Sequence, residues 1–461
     1  MTRQSGGLAG AHVLVTGAGV TGPPVARALL ARGARVTVTD ANAERLRSLA
    51  STLRGVRVAH GLAAPPPGTD LVVTTPGWRP DAPVLAAAMA GGIDVIGDVE
   101  LAWQFCAEMP EPPAWLVVTG TNGKTTTVAM LESMLLAAGL DAVACGNIGL
   151  PVVDAIGHRV LAVELSSFQL YWSPSVRPAA GALLNIAEDH LDWHGSMDAY
   201  AAAKARALTG DVAIAGVEDE RVARMLAESP ARRKIGVRLT PPDSGELGVL
   251  AGRLVDCAFG TRETLAEVAD VRPPGPPGVF DALAAAALAR SYGVPATAVA
   301  TGLSLFRPGE HRAAAVAEID GVRYVNDSKA TNPHAAAASL RAHERVVWIA
   351  GGLLKGASVD DLVTEAAPRL AGVVLIGRDR QVIASALARH APDVPVHTVS
   401  GGDDDPMSAM STAVHAAHAM ARPGDVVLLA PAAASMDMFT DYRQRGTAFA
   451  TAVNALTPGS G

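Results

Sequence analysis

Residues of the kind that hold nucleotide phosphates are concentrated in one stretch, VVTGTNGKTTT, from Val117 to Thr127. An apolar run typical of a buried strand leads into it, Gly120 and Gly123 permit a tight loop, and the residues that follow have helical spacing. In such a strand–loop–helix unit, backbone N–H groups and the helix N-terminus bind phosphates, a lysine reaches the outer phosphates, and a hydroxyl binds Mg²⁺. The stretch therefore predicts ATP binding, with Lys124 as the lysine and Thr125 as the hydroxyl.

The loop departs from the common phosphate-loop spacing, because Val118 stands where the first glycine of that pattern is usual. Only a shorter form, Gly-x-x-Gly-Lys-Thr-Thr, is present. A chance glycine turn is the alternative, but the preceding strand and the following helix are what a phosphate loop requires. The predicted ATP-binding residues of the loop are Gly120, Thr121, Asn122, Gly123, Lys124, Thr125 and Thr126.

Composition favours a globular protein of several domains. The 461 residues are 49% hydrophobic, which predicts two to four domains. The net charge is −7 and the only basic cluster is at 232–234, which argues against nucleic acid and membrane surfaces as partners. No apolar run has the length of a membrane span, and the N-terminus lacks a hydrophobic signal core. Three scattered cysteines have no metal-binding spacing. A soluble cytoplasmic protein is therefore expected.

Lysine is rare in this chain. Of 38 lysines and arginines only five are lysines, so those that remain are expected where a flexible ammonium or a neutral amine is needed. Random survival is the alternative. Lys124 already has a predicted role, and Lys204, Lys329 and Lys355 become candidates, whereas Lys234 belongs to the basic surface run.

A second glycine-rich loop lies near the start of the chain, where residues 12–40 have the pattern strand, loop, helix, strand. Gly17, Gly19 and Gly22 have the Gly-x-Gly-x-x-Gly spacing, and Asp40 ends the second strand where a ribose-binding acid is expected. Such a unit binds a nucleotide diphosphate, and these residues alone indicate a dinucleotide. The Pro-rich segment EMPEPPA is typical of a linker, so a first domain is expected to end there.

Polar residues collect at strand ends after the phosphate loop, and in an open parallel sheet ligands bind at that edge. These residues are Asn147, Glu164, Ser166, Ser167, Gln169, Asn185, Glu188, Asp189, His190 and Asp192. Glu164 and His190 are predicted Mg²⁺ ligands, and a solvated acidic turn is the alternative. The helix AYAAAKARAL carries Lys204, and the alanine-rich helix GVFDALAAAALARSYGV is predicted to serve packing only.

A third α/β unit begins near Pro308, and three of its strands end in polar residues. This pattern predicts an edge that faces a ligand. The polar residues are Arg312, Asn326, Asp327, Lys329, Thr331, Lys355, Ser435, Asp437, Tyr442 and Arg445.

Together these motifs resemble the Mur ligases, ATP-dependent enzymes that add amino acids in peptidoglycan synthesis. The residues that carry the resemblance are Gly120–Thr126, Gly146–Gly149, Glu164–Gln169, Glu188–Asp192, Lys204, His311, Arg312, Asn326–Thr331 and Ser435–Gly446. The resemblance spans nearly the whole chain and implies an α/β fold of three domains. A Rossmann-like domain for a UDP-substrate is expected at 1–110, a central ATP-binding domain with a mostly parallel sheet at 111–307, and a Rossmann-like amino-acid-binding domain at 308–461.

Within the family the chain is most similar to the members that join D-glutamate to UDP-N-acetylmuramoyl-L-alanine. The signs are the first glycine loop and the ending PAAASMDMFTDYRQRG. The resemblance implies that ATP phosphorylates the substrate carboxylate and that the D-glutamate amine attacks the acyl phosphate. The resemblance also implies that the ligand of the first domain is a UDP-sugar and not a dinucleotide. The expected protein is a monomer.

The resemblance also assigns residues to ligands. The UDP-substrate positions are Val20, Thr21, Asp40, Thr75, Gly77, Asn147 and Gln169, with His190 near the sugar end. Two Mg²⁺ ions are expected, at Thr125 and Glu164 and at His190, and Lys204 matches a carbamylated lysine that serves as a further metal ligand. Arg312 and Asp327 match ATP contacts, which implies that the third domain closes for the reaction. The amino-acid positions are Lys329, Thr331, Lys355, Ser435 and Tyr442, and the catalytic positions are Lys124, His190, Lys204, Arg312 and Lys329.

Two departures from the family pattern stand out. Where family members have His-Asn and a further asparagine in the helix before the third domain, this chain has Phe280, Asp281 and Ala284. Gly216 replaces another usual asparagine. Because those helix asparagines contact the adenine nucleotide in the family, the adenine contacts of this chain stay open. The alternatives are an alanine-adding Mur ligase, a folylpolyglutamate synthase, or a nucleotide-sensing regulator with a degenerate ATPase.

Overall fold

The structure is a computed structural model that describes residues 7–399 and 405–456. The two ends of the expected domain ranges, at residues 1 and 461, lie outside the described residues. The chain forms three β-sheets with flanking helices, and it divides into two compact units. One unit comprises the residues through Ile186 together with His190–Val268 and Phe280–Leu305, and the other comprises Ala187–Asp189, Ala269–Val279 and the residues from Phe306.

The first sheet has five parallel strands in the order β3-β2-β1-β4-β5. The chain leaves β1 toward β2 on one side and returns as β4 on the other, so the loops after β1 and β4 border a crevice where ligands bind in such sheets. The strands are β1 (His12–Thr16), β2 (Arg35–Asp40), β3 (Arg57–His60), β4 (Leu71–Thr74) and β5 (Asp94–Gly97). The helices are α1 (Gly22–Ala31), α2 (Ala43–Thr52), α3 (Pro83–Ala90) and α4 (Asp98–Ala107).

The second sheet has nine strands in the order β14-β13-β12-β11-β10-β9-β6-β8-β7. Its pairs are parallel from β7 to β12, and β12, β13 and β14 form an antiparallel end. The strands are β6 (Ala114–Thr119), β7 (Ala142–Gly146), β8 (Val160–Glu164), β9 (Ala180–Leu183), β10 (Val212–Gly216), β11 (Arg233–Val237), β12 (Glu246–Leu250), β13 (Arg253–Asp256) and β14 (Glu263–Glu267). The helices in this part are α5 (Lys124–Ala137), α6 (Val152–Ala155), α7 (Ser167–Tyr171), α8 (Leu191–His194), α9 (Met197–Ala205), α10 (Glu220–Glu228), α11 (Pro276–Ser291) and α12 (Ala296–Leu305).

The third sheet has six strands in the order β15-β16-β20-β17-β18-β19, and only β15 pairs antiparallel. The strands are β15 (Ala314–Ile319), β16 (Val322–Asn326), β17 (Val346–Gly351), β18 (Leu370–Ile376), β19 (Val396–Thr398) and β20 (Val426–Leu429). The helices are α13 (Pro333–Arg341), α14 (Asp360–Ala366), α15 (Arg380–His390), α16 (Pro406–Met420) and α17 (Tyr442–Asn454).

The predicted α/β class with mostly parallel sheets is confirmed, and the strands owe it to near-continuous apolar runs that are buried on both faces. Every residue of β8, β9 and β17 is buried. One hydrophobic cluster contains Val15 of the first sheet and Val117 of the second, with Phe105 of α4 among them. The expected boundary at residue 110 therefore separates two sheets that share a core. Among the described helices, none is long and apolar enough to cross a membrane.

Candidate functional site

The phosphate loop follows β6 and requires glycine at its tightest point. Gly123 has φ +88, and a Cβ there would lie 2.3 Å from Oδ1 of Asp281. Asn185, which follows the neighbouring strand β9, holds the loop in place: its side-chain oxygen accepts from the backbone N–H of Asn122 at 2.9 Å, and its backbone oxygen accepts from Thr121 at 3.0 Å. The loop therefore has one fixed shape at the start of α5.

Two lysines point at one carbonyl of this loop. Lys124 Nζ donates to the Gly120 oxygen at 2.9 Å, and Lys204 Nζ donates to the same oxygen at 2.7 Å. Lys204 is only 2% exposed, and its second bond is to Thr119 Oγ1 at 3.3 Å. The possibility that Lys204 is a surface lysine is therefore wrong. Two cationic side chains meeting at one carbonyl create a strongly positive point, which suits the binding of phosphates.

Thr125 and Glu164 form an oxygen-rich pair beside the loop. Thr125 Oγ1 donates to Glu164 Oε2 at 2.7 Å, and Asn147 Nδ2 donates to Glu164 Oε1 at 2.9 Å. Glu164 is 2% exposed, so a solvated turn is excluded at this position. In the described part of the chain no three His, Cys, Asp or Glu side chains converge on one point. A hydroxyl and one carboxylate nevertheless fit Mg²⁺, which takes few protein ligands and completes its shell with phosphates and water.

His190 lies in an aromatic group next to α8. Its backbone is left-handed, with φ +55, and its ring centroid is 4.7 Å from that of Phe168. Phe168 also stacks on His194, whose Nε2 is 2.9 Å from Ser167 Oγ. Burial lowers the pKa of His194 to about 4, helped by the charges of His190 and Lys204. The His194 ring is therefore neutral at physiological pH, and Phe168 packs between it and the ring of His190.

The prediction that α11 serves packing only is wrong at its N-terminal end. The carboxylate of Asp281 touches the phosphate loop at Gly123, and the ring of Phe280 covers Gly216, where a Cβ would lie 2.7 Å from Cζ. Two of the departures from the family pattern are thus in contact, because the ring occupies the space that a side chain at 216 would need. A lone acid in an alanine-rich buried helix was the available signal for Asp281.

The first glycine loop is held by Asp40. The Asp40 carboxylate accepts from the N–H of Ala18 and of Asn42, each at 2.7 Å. A Cβ at Gly22 would lie 1.9 Å from the Gly17 oxygen, so glycine is needed where loop and helix meet. Among the predicted UDP-substrate residues, Asp40 ends β2, whereas Val20, Thr21, Thr75 and Gly77 lie on the loops after β1 and β4. These loops meet at the carboxyl edge of the sheet, as the sequence predicts.

Asp98 is a buried acid that sequence reasoning missed. It begins α4, its carboxyl group lies near the side chain of Gln169, and among the described residues its Oδ1 has no hydrogen-bond partner. Burial raises the pKa of Asp98 to about 7, and the backbone N–H groups of Asp98 and Val99, together with the Gln169 side chain, oppose this only in part. Gln169 in turn caps α7, because its Oε1 accepts from Ser166 N–H at 3.0 Å. Asp98 therefore lies beside the side chain of a predicted substrate residue.

The third sheet carries backbone strain at its carboxyl edge. Four non-glycine residues there have positive φ, which costs of order 1–3 kcal/mol each and marks functional loops. They are His311, Ala313, Lys355 and Ala432. Two of them, His311 and Ala313, flank Arg312. The Ala313 N–H donates to Asp327 Oδ1 at 3.3 Å, so the loop that carries Arg312 contacts Asp327, the other predicted ATP-contacting residue. Burial raises the pKa of Asp327.

The predicted amino-acid-binding residues lie on neighbouring loops of that edge. Lys329 Nζ lies 4.2 Å from the ring centroid of Tyr442. The loops that carry Lys355 and Ser435 are joined by paired bonds between Leu353 and Ala434. Lys355 is exposed and Ser435 is buried. Thr331 is half-buried and lies two residues beyond Lys329 on the loop after β16.

Arg445 is the residue that organises these loops; the sequence places it at this edge but the assignment of residues to ligands leaves it out. Its side chain is fully buried, and it donates to Ser328 Oγ at 3.0 Å, Ser328 O at 2.8 Å and Ala433 O at 3.0 Å. Burial lowers the pKa of Arg445 to about 9, although Asp437 opposes the shift. A buried guanidinium held by neutral acceptors keeps positive charge behind the loops of Lys329 and Ser435, which favours an anionic ligand.

Proteins of known name resemble this chain over nearly its whole length. The UDP-N-acetylmuramoylalanine--D-glutamate ligase of Rhodococcus jostii is 54% identical, over 99% of this chain and 98% of that protein. The ligase of the same name from Mycobacterium tuberculosis strain CDC 1551 is 55% identical, over 97% and 96%. Models of the Mur ligase middle domain and of the Mur ligase glutamate ligase domain match residues 118–243 and 311–433. The chain therefore belongs to the Mur ligase family.

Two further comparisons concern the fold. The C-terminal domain of alanine dehydrogenase/PNT matches residues 2–88, which include the first glycine loop. The crystal structure of UDP-N-acetylmuramate-alanine ligase from Thermotoga maritima aligns with a TM-score of 0.57 at 18% identity, over 96% of this chain and 99% of that one. At this identity the likeness shows the fold alone, and the fold is the one expected from the sequence.

We expect Asp98→Asn to change how stability depends on pH. The folded state binds the Asp98 proton more tightly than the unfolded state, whose pKa is near 3.8, so stability falls as pH rises from about 4 to about 7. Asparagine removes this loss, which is at most ~4 kcal/mol. The melting temperature of the variant minus that of wild type should grow between pH 5 and pH 8.5. The exposed Asp94→Asn is the control, and parallel pH curves for Asp98→Asn and wild type would contradict the assignment.

Proposed function

We propose that this protein ligates D-glutamate to UDP-N-acetylmuramoyl-L-alanine in peptidoglycan biosynthesis, with ATP converted to ADP and phosphate. The observation that carries the proposal is the likeness to ligases of that name over nearly the whole of both chains. The phosphate loop and the cation-rich edge of the third sheet agree with it. The loop would hold ATP and the edge a dicarboxylate, and the first glycine loop would hold the nucleotide-sugar substrate.

The reaction has two balanced steps. The substrate carboxylate attacks the γ-phosphorus of ATP, which forms an acyl phosphate and releases ADP. The amine of D-glutamate then attacks the acyl carbon, which forms the amide and releases inorganic phosphate and a proton. Lys124 and the backbone N–H groups of its loop stabilise charge on the transferring phosphoryl group.

Mg²⁺ is the cofactor that the oxygen pair at Thr125 and Glu164 favours, and it would neutralise phosphate charge there. We propose a second ion at His190. The Asn147 bond orients the Glu164 carboxylate, and Thr125 lies in the first turn of α5 where its hydroxyl meets the loop. These contacts prepare the site for the ion in the absence of ATP.

Lys204 is proposed to act as a carbamate. A neutral amine reacts with CO₂ to give an N-carboxylate and a proton, and the anion is an oxygen ligand that Mg²⁺ accepts. Lys204 is buried, and its Nζ meets the same carbonyl oxygen as Lys124 Nζ, so the amine lies beside the phosphate loop where a carbamate could reach a bound metal ion. Arginine cannot form a carbamate, which accounts for a lysine here in an arginine-rich chain.

Lys204→Ala is expected to fold and to lose roughly 10–100-fold in turnover, as when a supporting metal interaction is removed. Acetate should restore part of the rate, because a small carboxylate can occupy the vacated position. The surface variant Lys234→Ala is the control, with unchanged turnover. Circular dichroism checks the fold, and near-normal turnover of Lys204→Ala, with or without CO₂, would discard the carbamate.

D-glutamate is proposed to bind at Lys329, Thr331, Lys355, Ser435 and Tyr442. A dicarboxylate needs cations and hydroxyls, and this edge offers both, with the buried charge of Arg445 behind it.

Lys355→Ala should raise KM for D-glutamate about tenfold, which corresponds to the loss of one charge-assisted hydrogen bond. KM for ATP should stay within about twofold, because Lys355 belongs to none of the predicted ATP contacts. Steady-state kinetics with each substrate varied in turn measures both constants. Equal increases in the two constants would refute the assignment of this edge to D-glutamate.

ADP release in the presence of UDP-N-acetylmuramoyl-L-alanine and single amino acids tests the function as a whole. We expect release with D-glutamate and none with L-glutamate. Release with L-alanine and UDP-N-acetylmuramate would instead indicate the alanine-adding class, and release with a folate and L-glutamate the folylpolyglutamate class. ATP binding without release under any of these conditions would favour a regulator.

The three domains as bounded above, a monomeric state and a cytoplasmic location remain predictions.

A further inference from the structure

The turn after β4 brings a tryptophan to the first glycine loop. A Cβ on Gly17 would lie 2.3 Å from Thr75 Oγ1 and 3.1 Å from Trp78 Nε1. The backbone N–H of Trp78 donates to the Thr75 oxygen at 3.3 Å, so both side chains approach the loop from the same turn. A hydroxyl and an indole N–H therefore face the loop that is expected to hold a diphosphate.

The loop itself is short of backbone donors. Helix α1 begins with Gly22, Pro23 and Pro24, and proline has no N–H, so its first turn lacks two of the groups that usually bind phosphate oxygens. The N–H of Gly17 is bonded to the Thr39 oxygen, and the N–H of Ala18 is bonded to Asp40. The backbone donors left for a diphosphate are the N–H groups of residues 19–22, so a side-chain donor near the loop would add to a reduced set.

Trp78 is arranged to be such a donor. Its ring is half-buried and packs against the apolar cluster under β4 and α3, which includes Leu14, Val84 and Leu85. Within the described residues its indole N–H has no hydrogen-bond acceptor in the protein. Because packing fixes the ring, the N–H is directed at the loop with little entropy left to lose on binding.

We propose that Trp78 binds the diphosphate of the nucleotide-sugar substrate through its indole N–H, and so replaces donors that the two prolines remove. The inference rests on the proposed function for the identity of the substrate, but no part of that function assigns Trp78. Thr75 Oγ1 acts beside it, and the two donors together bracket Gly17.

Trp78→Phe tests this, because it keeps an aromatic ring in the apolar cluster and removes the N–H. By calorimetry, Kd for UDP and for UDP-N-acetylmuramoyl-L-alanine should each rise roughly tenfold, as expected for the loss of one hydrogen bond to a charged group. KM for ATP should not change. Trp103→Phe is the matched control, since Trp103 packs edge-to-face on Trp115 at 5.2 Å and should leave both Kd values unchanged.

The outcomes separate the inference from the function on which it rests. Unchanged Kd values for Trp78→Phe, with normal binding by wild type, would overturn the role of Trp78 and leave the proposed function intact. Absence of binding of either uridine compound to wild type would overturn both. Should Trp78→Phe fold poorly by circular dichroism, the indole ¹⁵N–¹H resonances of the wild-type enzyme decide. UDP should shift one of them downfield, and no shift in any would overturn the proposal.

Discussion

The convergence of two lysine ammonium groups on one carbonyl oxygen is the interaction on which the central part of this protein depends. Lys124 and Lys204 reach the Gly120 oxygen from α5 and from α9. Two ammonium groups at one carbonyl oxygen repel each other, so negative charge placed nearby stabilises the arrangement. Phosphates of ATP provide this charge, and a carbamate on Lys204 would remove one of the cations. The phosphates would use the cations directly, whereas the carbamate would turn one of them into a metal ligand.

The strands of the central sheet position the residues that surround this carbonyl oxygen. The strand order places β6 between β8 and β9, so Glu164 and Asn185 follow the strands on either side of the phosphate loop. Asn185 fixes the loop backbone, and Glu164 meets the Thr125 hydroxyl at the start of α5. In the third sheet, the buried guanidinium of Arg445 has the equivalent structural role, because it ties the loops after β16 and β20 together.

The sequence predicts strand–loop–helix units well, because the residues that define a glycine turn between a strand and a helix are adjacent in the chain. The phosphate loop, the first glycine loop and the position of Glu164 at a strand end could all be predicted in this way. The roles of Asp98, Asp281 and Arg445 could not, since each lies against residues far away in the chain: Gln169, Gly123 and Ser328. The packing role expected for α11 failed for the same reason. The alanine-rich composition of α11 predicts a buried helix, but it does not predict that the helix contacts the phosphate loop.

The path of one oxygen atom tests the account most directly. In UDP-N-acetylmuramoyl-L-alanine with ¹⁸O at both oxygens of the alanine carboxylate, the oxygen that attacks ATP must leave with inorganic phosphate when the amide forms. Mass spectrometry of phosphate after complete turnover with D-glutamate should therefore find one ¹⁸O atom per molecule of phosphate. Unlabelled phosphate would contradict transfer of the phosphoryl group to the substrate carboxylate at this phosphate loop.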